Sequence, residues 1–180
     1  MPGYRRYYVE GGIYFFTVVT HMRRPLFIDG STVELLKQCL KTTMNIHPFT
    51  MNALVILPDH LHTIWTLPDN DSDYSTRWKI TKAKFSRHYR SERNISTTES
   101  RISKGEKGIW QRRFWEHLIR SQEDYNKHLD YIHYNPVKHG LVDFPLEWKQ
   151  SSFHKYVKWG VYDIDWGKSV SNELIEMNLE

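Results

Sequence analysis

Ala53-Leu54-Val55-Ile56-Leu57-Pro58-Asp59-His60-Leu61-His62-Thr63-Ile64-Trp65-Thr66-Leu67 is the stretch whose reading decides the fold. The unbroken apolar run 53–57 is a buried strand, Pro58-Asp59 supplies a turn, and the residues from His60 onward make the adjacent strand. Side chains alternate faces along a strand, so His60 and His62 point the same way while Leu61 points into the core. Imidazoles so placed are suited to share a metal ion. Taken alone, a His-x-His is more often two half-exposed histidines on an edge strand, so the case has to come from the rest of the chain.

Composition narrows the field. At 180 residues the chain is one domain of ordinary size with room for a tail, and long enough to bury a core without staples. A single cysteine, Cys39, excludes an internal disulfide and fits a reducing compartment. No apolar run approaches a membrane span, and the first residues lack the apolar core of a signal peptide, so a cytoplasmic, nucleoid-associated protein without membrane contact is expected. Net charge is only +4, but 25 Lys and Arg stand beside 7 Trp, 11 Tyr and 8 Phe. Basic groups neutralise phosphates and rings stack on unpaired bases, a mixture suited to single-stranded nucleic acid.

Upstream of the histidine pair, Tyr4-Arg5-Arg6-Tyr7-Tyr8 interleaves arginine with tyrosine before a strand over 13–20. Such an arm can grip a backbone and stack a base; a frayed, solvated terminus is the other reading. Ser31-Thr32-Val33-Glu34 reads as a capping box opening a helix. Leu35, Leu36, Cys39, Leu40 and Met44 recur on its core face, and Pro48 ends it. Downstream, the spacing predicts a helix from about Tyr74 to Tyr89, with Tyr74, Trp78, Thr81, Phe85 and Tyr89 as one apolar stripe. Arg77, Lys82, Lys84 and Arg87 lie among the remaining positions, and no acidic residue occurs between Asp73 and Glu92, so this face is a candidate phosphate contact. Residues 91–107 read as a loop. Residues 108–120 return to a strand pattern, Trp110, Arg112, Phe114 and Leu118 on one face and Arg113, Trp115 and His117 on the other. His117 is a possible further metal ligand, though a satisfied or surface histidine is the commoner case.

Ser121-Gln122-Glu123-Asp124 opens a last long helix that Pro136 is expected to close. At about 100° per residue, Tyr125, Leu129 and Ile132 form its core stripe. Tyr131 then falls on a polar side with Asp124, Lys127 and Asn135. Asn135 stands one turn above Tyr131, so two strand histidines and this amide oxygen make a three-ligand site for Mg²⁺ or Mn²⁺, the nitrogen donors leaning it towards Mn²⁺. A phenol one turn from a ligand can attack a metal-bound group. Tyr134 is the rival nucleophile, about 100° from Asn135 against about 40° for Tyr131. Lys127, His128 and metal-bound water are candidate bases.

With both halves in view, the chain resembles the REP-associated tyrosine transposases, relatives of the single-tyrosine insertion-sequence transposases of the HUH class. The resemblance rests on Tyr4-Arg5-Arg6, Leu57-Pro58-Asp59-His60-Leu61-His62, Trp110-Gln111-Arg112-Arg113-Phe114-Trp115-Glu116 and Asp130-Tyr131-Ile132-His133-Tyr134-Asn135-Pro136-Val137-Lys138. It covers roughly the first 150 residues, with 151–180 as a C-terminal extension. It implies an α+β, ferredoxin-like antiparallel sheet with helices packed on it. It also implies a divalent metal on His60, His62 and Asn135, and a Tyr131 that attacks a DNA phosphate to leave a 5′-phosphotyrosine and a free 3′-hydroxyl. The substrate would be single-stranded DNA with hairpins of repetitive extragenic palindromes, handled by a monomer. Tyr4, Arg5, Arg6, Arg77, Lys82, Lys84, Arg87, Arg112, Arg113 and Lys138 are the DNA-binding candidates. The alternatives are a hairpin-binding protein that does not cut, and a metallohydrolase in which Tyr131 is incidental. Asp163, Asp165, Glu173, Glu176 and Glu180 make the tail acidic, either an inhibitor lying over a basic groove or an ordinary solvated terminus.

Overall fold

Residues 6–93, 108–168, 176, 177 and 179 are described by a computed structural model. Strands β1 (Ile13–Val19), β2 (Thr50–Ile56), β3 (His60–Thr66) and β4 (Trp115–Ile119) form one sheet in the order β2-β3-β1-β4, each neighbouring pair antiparallel. Helix α1 (Gly30–Ile46) connects β1 to β2, and α2 (Tyr74–Arg93) lies between β3 and β4. Two βαβ units therefore interleave, which is the ferredoxin-like α+β arrangement. Helix α3 (Gln122–Lys138) and the short α4 (Phe153–Lys158) follow.

Strand parity sorts the core into two layers. Tyr14, Phe16 and Val18 of β1, with Leu61 and Trp65 of β3, face α1 and α2, where Leu36, Leu40, Trp78 and Phe85 meet them. Trp65 and Trp78 stack with centroids 4.2 Å apart, and such fully buried aromatics each contribute roughly 2–3 kcal/mol. Phe15, Ala53, Val55 and Ile64 face the other way, against Leu129, Tyr131 and Ile132 of α3 and Phe153 of α4. Both faces of the sheet are thus covered, and β3 is central rather than an edge. The half-exposed reading of the histidine pair is overturned: His60 and His62 are fully buried.

Several boundaries differ from the sequence reading. The cap of α1 is Asp29, which accepts from the Thr32 backbone at 3.0 Å, because a carboxylate two residues upstream of Ser31 reaches the free N–H first. Pro136 lies inside α3, which runs on to Lys138; so near the C-terminus the missing N–H costs one helical bond and no more. The strand pattern over 108–120 yields β4 only from Trp115, with Trp110 making an isolated bridge to Thr20, yet its two faces sort as the alternation predicts. Ser91 to Arg93 extend α2; the remainder of the expected loop, 94–107, lies outside the described residues, as do Tyr4 and Arg5.

Candidate active site

Pairing places His62 opposite Thr17 on β1 and Val55 on β2, and His60 opposite Val19. The two imidazole centroids are 4.9 Å apart with planes at 81°. Each ring is steered through Nδ1. Asp59 Oδ1 lies 2.6 Å from Nδ1 of His60, and Thr17 Oγ1 lies 2.9 Å from Nδ1 of His62. The Thr17 hydroxyl already donates to the Leu179 carbonyl at 2.6 Å, so the His62 Nδ1–H must be the donor to Thr17. That assigns the lone pair of His62 to Nε2, a buried atom without a hydrogen-bond partner among the described residues. Burial, reinforced by the neighbouring His60, His139, Lys138 and Arg23, holds His62 well below the usual imidazole range. A neutral ring, oriented through Nδ1 with a free Nε2, is the state a metal ligand requires.

Helix α3 supplies the opposing wall. Ser121 caps it through the Asp124 N–H at 3.1 Å, and Glu123 and Asp124 favour its first turn. Tyr131 stands edge-on to His62 with centroids 5.2 Å apart and packs against Phe15 at 6.0 Å. The Lys138 ammonium lies 4.9 Å above the Tyr131 ring. Asn135, one turn on, is fully buried, and neither amide atom has a hydrogen-bond partner among the described residues. An unsatisfied buried amide costs about 1–3 kcal/mol per group, so its donor and acceptor are features to be explained by a ligand. Tyr134 turns away to Trp166.

The polar side assigned to Tyr131 is corrected. Tyr131, His128, His133 and Asn135 are all buried with Leu129 and Ile132, because α3 packs a wide arc between the sheet and the segment 148–166. Asp124 and Lys127 do not share the Tyr131 site. Lys127 is exposed and pairs with Glu123 at 3.0 Å. The Asp124 carboxylate receives His117 Nε2 at 2.9 Å and the Arg120 N–H at 3.0 Å, while His128 Nδ1 lies 2.8 Å from the Asp124 backbone carbonyl and 3.0 Å from its Oδ1.

This His117, Asp124, His128 group brings possible metal donors within 4.8 Å of one another, and sequence reasoning foresaw only its His117. The His117 and His128 rings are stacked, 4.5 Å apart and 14° from parallel. In-plane lone pairs of parallel stacked rings do not converge on one point, so Asp124 serves here as an acceptor shared by two imidazoles.

The basic candidates separate into several environments. Arg77 is a correction. It is buried, its guanidinium held by Asp71 at 2.7 Å and the Pro48 carbonyl at 2.7 Å, and it pins the start of α2 to the start of β2. Arg87, Arg112 and Arg113 are exposed and Lys84 is half-buried. Lys82 donates to the Gln111 carbonyl at 2.6 Å, and burial pushes its amine down to about 8. Arg6 lies over Phe114 at 4.4 Å and meets Glu116 at 3.4 Å. Lys138 belongs to the Tyr131 site, where it also donates to the Met177 carbonyl. Met177 and Leu179 pack half-buried on the α3 side of the sheet, and the Leu179 N–H donates to Tyr131 Oη at 3.3 Å.

A ferredoxin-like sheet whose central strand carries two buried imidazoles, His62 against a tyrosine on a following helix, is the arrangement that the resemblance to tyrosine transposases of the HUH class implies. No family model matches the chain. It is 42% identical over 172 residues to the REP-associated tyrosine transposase of Escherichia coli (strain K12), covering 96% of this chain and 94% of that protein. A putative REP-associated tyrosine transposase of Haemophilus influenzae is 44% identical over 167 residues, covering 93% of this chain and 94% of that protein. Among solved structures, a REP-associated tyrosine transposase bound to a REP hairpin matches with a TM-score of 0.78 at 42% identity, over 96% of this chain and 94% of that one. The chain belongs to the REP-associated tyrosine transposases.

Proposed function

We propose that this chain cuts and rejoins single-stranded DNA carrying REP hairpins through a 5′-phosphotyrosine on Tyr131, with His60, His62 and Asn135 as ligands of Mg²⁺ or Mn²⁺. The observation that carries the reading is the convergence of Tyr131 on His62 beside an Asn135 whose buried amide is unsatisfied. The donor set fits a divalent cation: two imidazoles and an amide oxygen, the nitrogens favouring Mn²⁺. When bound, such an ion withdraws charge from the scissile phosphate and steadies the oxygens in transit.

The remaining work falls to the chain. Tyr131 Oη forms a bond to phosphorus as the bond from phosphorus to the 3′ oxygen breaks; the phenol gives up its proton and the 3′ oxygen takes one. A phenol titrates near 10, so the Lys138 ammonium over the ring helps by favouring the anion. Thr17 and Asp59 keep both imidazoles in the ligating tautomer. The covalent intermediate conserves the bond for rejoining, which suits strand transfer better than hydrolysis.

Residues 1–150 supply every one of these groups, and 151–180 form an extension whose first part, with Phe153, Tyr156 and Tyr162, completes the layer beneath α3. The exposed Arg87, Arg112 and Arg113, with Arg6, Lys82 and Lys84, contact the DNA. The protein acts as a monomer at the nucleoid in the cytoplasm; among the described residues no helix is long and apolar enough to cross a membrane.

A nicking assay on an end-labelled REP hairpin with Mn²⁺ tests the reading. It predicts an adduct that survives a denaturing gel and disappears in Tyr131→Phe. Hairpin binding without cleavage by the parent would leave a binding protein, and cleavage undiminished in Tyr131→Phe would leave a metallohydrolase.

A further inference from the structure

Thr17 carries the one hydroxyl in the run Phe15-Phe16-Thr17-Val18-Val19 of β1, and it is buried. Burying a hydroxyl is costly unless its lone pair and its proton are both used. Strand alternation sets Thr17 on the face that carries Phe15, and the pairing of β1 with β3 sets it opposite His62. Its oxygen takes the His62 Nδ1–H at 2.9 Å, and its proton goes to the Leu179 carbonyl at 2.6 Å. The same Leu179 sends its N–H to Tyr131 Oη at 3.3 Å. The backbone of one residue therefore bridges the phenol and the Thr17 hydroxyl. We infer that Thr17 is a further catalytic residue, its hydroxyl donating to a non-bridging oxygen of the phosphate that Tyr131 attacks, in the place the Leu179 carbonyl holds; the inference rests on the DNA-cleaving reading above.

A phosphorus poised for attack lies about 3–3.5 Å from the phenol oxygen. The Leu179 backbone fills that approach to Oη, so a strand that reaches the phenol takes its place and uncovers Thr17 in the same movement. With Leu179 gone, Thr17 Oγ1 still accepts from His62, and its proton is left to find a new acceptor. A phosphate oxygen carries charge that a peptide carbonyl lacks, so it makes the stronger bond of the two. An oxygen that accepts one hydrogen bond also donates the next more strongly, and the His62 N–H thereby improves Thr17 as a donor. As Tyr131 Oη bonds to phosphorus and the 3′ oxygen departs with its electron pair, negative charge stays on the two non-bridging oxygens. Thr17 steadies one of them and keeps its own proton throughout.

Thr17 also orients His62, so a slower variant would not by itself separate the two roles. Sulfur is a weak hydrogen-bond acceptor, and replacing each non-bridging oxygen in turn does separate them. The phosphate at which the adduct forms on a REP hairpin strand is mapped, then made as its two phosphorothioate diastereomers. Adduct formation with Mn²⁺ is timed for the full chain at saturating DNA. The parent should be slowed by sulfur at the oxygen Thr17 reaches. Thr17→Val, which keeps the branched shape, should lose roughly a hundredfold on unmodified DNA. It should be indifferent to sulfur at that oxygen and respond to the other diastereomer as the parent does. Thr17→Ser returns the hydroxyl and should recover most of the rate together with the sulfur effect. Melting temperatures check the fold and, with Mn²⁺ added, the metal site. A Thr17→Val that loses rate and Mn²⁺ stabilisation together, yet is slowed by both diastereomers as the parent is, has lost only the hold on His62 and overturns the proposal. A parent indifferent to sulfur at both oxygens overturns it without any variant, and the DNA-cleaving reading stands. A parent that forms no adduct on unmodified DNA removes that reading instead.

Discussion

Tyr131 of α3 and His62 of β3 meet edge to face, ring centroids 5.2 Å apart and planes at 73°. The contact joins the second apolar layer to the histidine-bearing face of the sheet, so the phenol is placed by core packing and not by a mobile loop. A nucleophile held this way has little freedom to lose on reaction, which is where orientation contributes to rate.

Tyr131→Phe keeps the ring in the core and deletes only the hydroxyl. The variant should fold and bind a REP hairpin within about twofold of the parent, while adduct formation falls by at least roughly a thousandfold. Denaturing gels on labelled hairpin, with anisotropy in parallel, read both quantities. Residual adduct on another residue, Tyr134 first among them, would move the nucleophile.

Whether a cation goes to His60, His62 and Asn135 or to the His117, Asp124 and His128 group is read by thermal melting. A ligand that binds only the folded state stabilises it by mass action. Mn²⁺ should raise the melting temperature of the parent and of His117→Ala, and should leave that of His62→Ala unmoved. The converse pattern would assign the ion to His117, Asp124 and His128 and disprove the role given to His60, His62 and Asn135.

Arg77 carries a prediction about stability alone. Its guanidinium is buried against Asp71 and the Pro48 carbonyl. Arg77→Met leaves that carbonyl without its donor and the carboxylate without its partner, a loss of about 2–4 kcal/mol moderated because Asp71 is partly exposed. Denaturant titration should show the loss, and hairpin affinity per folded molecule should be unchanged within about twofold. A marked drop in affinity without a drop in stability would return Arg77 to the DNA surface.

That residue also shows where sequence reading stops. The alternation that put His60 and His62 on one face, and the stripe Tyr74, Trp78, Thr81, Phe85, need only local periodicity, and both are seen. Arg77 belongs to the same helix but is satisfied by a carbonyl 29 residues upstream, a contact no helical wheel contains. On α3 the stripe Leu129 and Ile132 was legible, yet Tyr131 and Asn135 were placed with Asp124 and Lys127 on a polar side. Polarity misled there because a buried site also needs polar groups. The stacking of His117 on His128 depends on tertiary packing and leaves no pattern in the chain.

The acidic tail was read as a cover for a basic groove or as a solvated end. Met177 and Leu179 bond to Tyr131, Thr17 and Lys138 through their backbone atoms. DNA reaching the phenol must displace them. Truncation after Lys168 should therefore raise the rate of adduct formation several-fold at subsaturating hairpin, with melting temperature lowered modestly by the lost apolar contacts. An unchanged rate would show that these residues leave the site before DNA arrives at no measurable cost.

Lys82 gives a pH dependence whose sign follows from its burial. Its amine is pushed down to about 8 from the usual lysine value of 10.5. Between those values the unfolded chain binds the proton that the folded chain has released, so stability should rise with pH across that window. DNA binding should run the other way. Raising pH from about 7 to 9 removes the charge from the folded Lys82 and weakens its hold on a phosphate, while bound phosphate draws the apparent midpoint upward. Hairpin affinity of the parent, measured at fixed ionic strength, should fall several-fold across that interval. Lys82→Arg cannot lose its charge there and should flatten the profile. If the parent and Lys82→Arg decline together, the titrating group lies elsewhere and Lys82 does not touch the DNA.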